Sequence, residues 1–174
     1  MKQRYKKLFL PMRLQPPHLG HIQLIEKVSE LSNKVILIIT NASENNSWNP
    51  FFAAEREAML RKSLDENKHS HVEICHMPSF ESHEEKYEYA KRNFDLVEGS
   101  IVVSGSKGIV NAFPKRGFKV IQPKEILDDM IDISGTRLRE MIKEGNKQWK
   151  QYAAKGTMYY AEEFDVEGRV RKFS

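Results

Sequence analysis

Residues 34–40 read KVILIIT, a β-branched run in which apolar and polar positions do not alternate. A strand that is apolar on both faces must be covered on both faces, the situation of a strand inside a parallel sheet flanked by helices. Four more short runs read as strands: KKLFLPM at 6–12, HVEICHM at 71–77, SIVVSG at 100–105 and FKVIQP at 118–123. Helical signals lie between and after them. Leu24, Ile25, Val28 and Leu31 recur at helical spacing behind Pro16 and Pro17. Asn49 with Pro50 reads as a cap and first helical residue, opening a helix to about Asn67 that buries Phe51, Met59, Leu60 and Leu64. A short helix in 107–117 ends at Pro114 and Gly117, and one from Ile133 has Ser134 near its cap and Gly145 as its terminator. The pattern predicts an α/β chain of three layers, with a parallel sheet of about five strands between helices. Ligands in such sheets sit beyond the carboxyl ends of the strands.

Length and composition narrow the classes. The 174 residues suit one domain over 1–174, with 156–174 as a C-terminal extension packed on that domain or on a neighbouring subunit. No apolar run approaches the ~20 residues of a membrane span. The apolar part of MKQRYKKLFLPM is too short for a signal peptide, and Cys75 is the only cysteine, so a cytoplasmic protein is expected. The net charge of +4 is explained by solvated lysines without a clustered basic stripe, so neither nucleic acid nor membrane is an expected partner.

Two stretches carry chemistry. In PPHLGHIQL (16–24) the prolines hold the chain extended, Gly20 leaves the backbone open to close approach, and His18 and His21 lie three apart at a helix start. Free N–H groups and the helix dipole favour an anion there, and two imidazoles above them make a polyphosphate cradle. In DISGTRLREMI (132–142), Ser134, Gly135 and Thr136 open a second helix, and Arg139 shares a face with Thr136 while Leu138, Met141 and Ile142 turn inward. Arginine grips phosphate oxygens bidentately and keeps its charge. Taken singly, each stretch also reads as an ordinary capped helix start.

Taken together, HLGH (18–21) and ISGTRLR (133–139) resemble the HxGH and ISGTxxR signatures of the nucleotidylyltransferase superfamily. Within it, RLQPPHLGH (13–21), NPFFAAERE (49–57), VVSGSKG (102–108) and GFKVIQP (117–123) are similar to segments of the archaeal-type nicotinamide mononucleotide adenylyltransferases. The resemblance spans roughly the first 150 residues and implies a Rossmann-like fold. It also implies transfer of AMP from ATP to a mononucleotide (NMN), Mg²⁺ as cofactor, and a homo-oligomer. Carried over by position, His18, His21 and Arg139 would be catalytic. Met12, Arg13, Gly20, Ser134, Gly135 and Thr136 would join them around ATP, with His21 nearest the reacting centre. Asn41, Trp48, Phe80, Tyr87 and Ser104 are the candidates for the acceptor. The chemistry fits, because a phosphate nucleophile is already ionised at neutral pH and needs mainly alignment and charge neutralisation.

The sequence departs from the family pattern at two places. Met12 replaces the first glycine of GRxQP, and FESHEEKYEYAKRNFD (80–95) lacks the tryptophan expected near the acceptor ring. The acceptor therefore stays open between NMN and another phosphate monoester (FMN, phosphopantetheine, or a sugar or alcohol phosphate with CTP), and a non-catalytic nucleotide-binding regulator is the third reading. His69, His71 and Cys75 also offer zinc-type ligands on one strand face, though they read more simply as a loop entering a buried strand, and no protein metal ligand is predicted.

Overall fold

The computed structural model describes residues 5–172. Five parallel strands form its centre: β1 (Leu8–Met12), β2 (Val35–Ile39), β3 (Val72–His76), β4 (Ile101–Val103) and β5 (Lys119–Ile121), in the order β3-β2-β1-β4-β5. β1 pairs β2 from Leu8 with Val35 to Met12 with Ile39, and pairs β4 through Leu8 with Ile101. The unalternating run divides itself between two layers. Val35, Leu37 and Ile39 pack with Leu24, Ile25, Val28 and Leu60, while Ile36 and Ile38 pack with Ala90, Leu96, Phe113 and Phe118. The first group belongs to α1 (Leu19–Leu31) and α2 (Ala53–Ser63); the second comes from α3 (His83–Phe94), from the 3₁₀ turn region after α4 (Lys107–Ala112), and from the chain beside them. Each fully buried aliphatic side chain contributes roughly 1.5–3 kcal/mol.

A third cluster packs against α2 and the residues before it. α5 (Gly135–Lys143), α6 (Trp149–Tyr152), α7 (Lys155–Tyr159) and α8 (Val166–Lys172) bring Leu138, Met141, Ile142, Trp149, Val166 and Val170 against Phe51 and Met59. The segment from 156 to 172 thus packs on the sheet's own helices. α7 lies so close to α2 that a Cβ on Gly156 would stand 1.8 Å from the Met59 carbonyl oxygen.

One expectation is corrected. The helix expected from Asn49 to Asn67 runs only from Ala53 to Ser63. The Asn49 side chain caps nothing: its amide donates to Glu44, and the residue that precedes the helix is Phe52, in an extended conformation. Leu64 is only partly buried. The mixed segment after residue 80 is a helix, α3, opened by Ser82 with a reciprocal bond to Glu85. No helix among the described residues is long and apolar enough to cross a membrane.

Candidate active site

In this strand order the direction of the crossovers reverses at β1, so the loops after β1 and β4 part and leave a crevice between them. The loop after β1 is built to stay in one shape. Leu14 takes a φ of 57°, unfavourable for a branched side chain by roughly 1–2 kcal/mol, and full burial holds it there. Gln15 clasps Phe51 twice, its Nε2 donating to the Phe51 carbonyl and its Oε1 accepting from the Phe51 N–H, both at 3.0 Å. Arg56 is fully buried and donates to the carbonyls of Arg13 (2.6 Å), Thr40 (2.8 Å) and Asn41 (3.0 Å). One guanidinium therefore ties the loops after β1 and β2 together, and burial lowers its pKa to about 10.

His18 and His21 face each other at the start of α1. Their rings stack at 3.5 Å, the His21 N–H donates to His18 Nδ1 (3.3 Å), and the His18 N–H donates to His21 Nδ1 (3.2 Å). Both Nδ1 atoms accept a hydrogen bond, so each neutral ring carries its proton on Nε2. Burial lowers the His18 pKa to about 4. His21 is lowered well below its usual value by burial first, and then by His18 and Arg13. At neutral pH the pair consists of uncharged Nε2–H donors.

The opposite wall comes from the far end of the chain. Ser134 caps α5 by accepting from the Arg137 N–H at 3.1 Å. Arg139, only 5% exposed, donates from Nη1 to the Gln15 carbonyl at 2.9 Å and from Nη2 toward the Thr136 hydroxyl at 3.4 Å. The two signatures, more than a hundred residues apart, meet at this contact.

Between these walls lies a cavity of about 540 Å³, lined by Met12, Arg13, Gln15, His21, Thr40, Asn41, Ser104, Gly105, Ser106, Gly135 and Arg139. Its inner part is apolar, with Phe9, Ile38, Met77, Ala90, Leu96, Val102 and Phe113. The volume is that of a small-molecule site. Among the described residues, the charged side chains of the lining are Arg13, Lys86 and Arg139, with no carboxylate.

Of the expected residues, Met12, Arg13, His21, Gly135, Arg139, Asn41 and Ser104 line this cavity. Others do not. His18 is 4% exposed and outside the lining; its Nδ1 caps α1 and its ring lies against that of His21. Gly20 is outside the lining; a Cβ there would meet the Ile131 carbonyl at 3.4 Å and the His18 ring at 3.3 Å. The Ser134 and Thr136 hydroxyls flank the lining glycine and bond within α5. Among the acceptor candidates, Trp48 stands exposed on the loop after β2. Phe80 packs on Tyr89 and Tyr87 meets Phe118 edge-on, both part of the aromatic layer under α3. His69 and His71 precede β3 instead of sharing its face; they bond to the carbonyls of Asp65 and Ser29. No trio of metal-type ligands exists among the described residues. Gln15, Arg56 and Lys86 were not singled out by spacing, since each acts through contacts distant in sequence.

The pattern of the cytidylyltransferase-like family matches residues 13–141, the span from the loop after β1 to the middle of α5. The chain belongs to that family. Its relatives include proteins named nicotinamide-nucleotide adenylyltransferase. The one from Pyrobaculum aerophilum is 31% identical over 154 residues (86% of this chain, 84% of the relative), and that from Methanococcus aeolicus 30% identical over 163 residues (93% and 91%). Among solved structures, a bifunctional NMN adenylyltransferase/ADP ribose pyrophosphatase from Francisella tularensis superposes with a TM-score of 0.68 at 19% identity, covering 97% of this chain and 52% of that one. The nicotinic acid mononucleotide adenylyltransferase of Plasmodium falciparum gives 0.62 at 12% identity, covering 94% and 98%. At these identities the structures speak for the fold, a cytidylyltransferase-like Rossmann arrangement.

Proposed function

We propose that the protein transfers AMP from ATP to nicotinamide mononucleotide, forming NAD and releasing pyrophosphate. The observation that carries this reading is the convergence of His21 and Arg13 from one end of the chain with Arg139 from the other, on one cavity without a carboxylate. An oxygen of the acceptor's phosphate attacks the α-phosphorus of ATP, the bond from that phosphorus to the bridging oxygen breaks, and pyrophosphate leaves with the electron pair. No side chain need act as nucleophile. His21 donates its Nε2 proton in a hydrogen bond to oxygens gaining charge at the α-phosphorus, while Arg13 and Arg139 hold the β- and γ-phosphates. A neutral donor suits this task, since it adds directionality where two guanidiniums already supply charge. His18 fixes the tilt and tautomer of His21 without touching substrate.

The lining offers no carboxylate for Mg²⁺, so the residues present do not build a metal site. A Mg²⁺ ion accompanying ATP would be carried by the phosphate oxygens themselves. The relatives' names, which specify the nicotinamide nucleotide, support the choice of acceptor.

Pyrophosphate release from ATP or CTP with NMN, FMN or phosphopantetheine tests the reading. Release is expected with ATP and NMN. Release only with another pair moves the acceptor or donor, and ATP binding without release from any pair makes the protein a nucleotide-binding regulator.

A further inference from the structure

We propose that Lys86 makes this protein favour an acceptor whose ring carries a carboxylate over one whose ring carries an amide. The inference rests on the adenylyltransferase reading and ranks its acceptors: nicotinamide mononucleotide reacts, and nicotinic acid mononucleotide reacts faster. The sheet order divides the cavity at β1. Ser104, Gly105 and Ser106 follow β4 on one side; Thr40, Asn41 and Met77 follow β2 and β3 on the other. Arg13, His21 and Arg139 stand at the division, where the phosphates of two joined nucleotides must lie. Two nucleosides therefore extend to opposite sides, and the inference places the acceptor on the side of β2 and β3. α3 follows β3 directly, and Lys86, in its first turn, lines the cavity on the β2–β3 side.

Lys86 is the cation of that arm. It is half-buried, and no ion pair joins it to a carboxylate among the described residues. The acids of the same turn are engaged elsewhere: Glu84 pairs with Arg116, and Glu85 accepts from the N–H and hydroxyl of Ser82. The rest of the arm is largely apolar, with Met77 buried and Ala90 one turn beyond Lys86 on α3. A planar ring is accommodated by such walls, but an anionic substituent on it is tolerated only beside a counter-charge. An unpaired ammonium facing an amide meets only the carbonyl dipole; facing a carboxylate it meets a full opposite charge, and the Coulomb attraction of an ion pair is added to the hydrogen bond. The phosphate clamp does not supply this discrimination, because both acceptors present the same phosphate.

The test compares kcat/KM for nicotinic acid mononucleotide and nicotinamide mononucleotide, each with ATP, in the wild type and in Lys86→Met, Lys86→Arg and Lys86→Glu. The wild type is expected to favour the carboxylate acceptor about fivefold, the upper end of what one partly exposed ion pair contributes. Lys86→Met removes that ratio, Lys86→Arg keeps it, and Lys86→Glu inverts it. If both acceptors react but the ratio is the same in all four proteins, Lys86 is an ordinary surface lysine and the inference fails while the reading of the enzyme stands. If the wild type favours the amide, the inference also fails. If neither acceptor yields pyrophosphate, the failure belongs to the underlying reading.

Discussion

His18 and His21 belong to the same tetrapeptide and do different work. The reciprocal bonds from each backbone N–H to the other ring's Nδ1 consume the acceptor nitrogens, leaving one Nε2–H apiece, and only His21 turns toward the cavity. Keeping these rings neutral has a consequence for stability. The His18 pKa is about 4 in the fold against 6.5 when unfolded, and His21 is lowered as well. Between those values the unfolded chain binds a proton that the folded chain refuses, so stability falls as pH drops from about 6.5 toward about 4. For His18 alone the full loss is on the order of 3 kcal/mol. His18→Asn, which retains a capping oxygen, is expected to be less sensitive to acid than the wild type. Urea unfolding at pH 7.5 and pH 5 measures this; an unchanged difference between the two pH values would show that His18 titrates normally in the fold.

The elements hold the site through contacts that spacing does not reveal. α7 supports the loop before α1: the Thr157 hydroxyl donates to the Pro17 carbonyl at 2.7 Å, and the Ala154 N–H to the same oxygen at 3.2 Å. That support depends on α7 lying directly on α2, with Gly156 against the Met59 carbonyl and its N–H bonded to the Ser63 hydroxyl. Gly156→Ala forces the two helices apart and is expected to cost about 3 kcal/mol or more, lowering thermal stability and activity together. A melting temperature within a degree of the wild type would contradict this packing. α3 was missed because its apolar side is made of Tyr87, Tyr89 and Phe94 among charges, with Ala90 its one fully buried apolar residue. Its start was nonetheless legible, since Ser82 and Glu85 form the S-x-x-E capping box. The start of α2 was misread for the opposite reason: Asn49 and Pro50 look like a cap, but the Phe51 and Phe52 N–H groups that an Asn49 cap would take donate to Gln15 and Glu55 instead.

At the scale of the whole molecule, the sheet was legible because unalternating β-branched runs have few other folds, and with the sheet came the end at which a ligand binds. The signatures at 18–21 and 133–139 were legible as chemistry at helix starts. Their meeting was not, because it depends on Arg139 reaching the Gln15 carbonyl across the top of the sheet. The same applies to Arg56, whose carbonyl partners come from two separate loops, and to Lys86, which reaches the cavity only because α3 folds back over β2. The central claim is that one cavity, clasped from both ends of the chain, moves AMP with His21 as its donor. Turnover of ATP and nicotinamide mononucleotide by the wild type and by His21→Ala, read as pyrophosphate and NAD beside the melting temperature of each, tests it most directly. Wild-type protein is expected to form the two products one for one, and His21→Ala to lose about a hundredfold or more in kcat, the equivalent of one oxyanion-type donor, with little change in melting temperature. Near-normal kcat in His21→Ala would contradict the account.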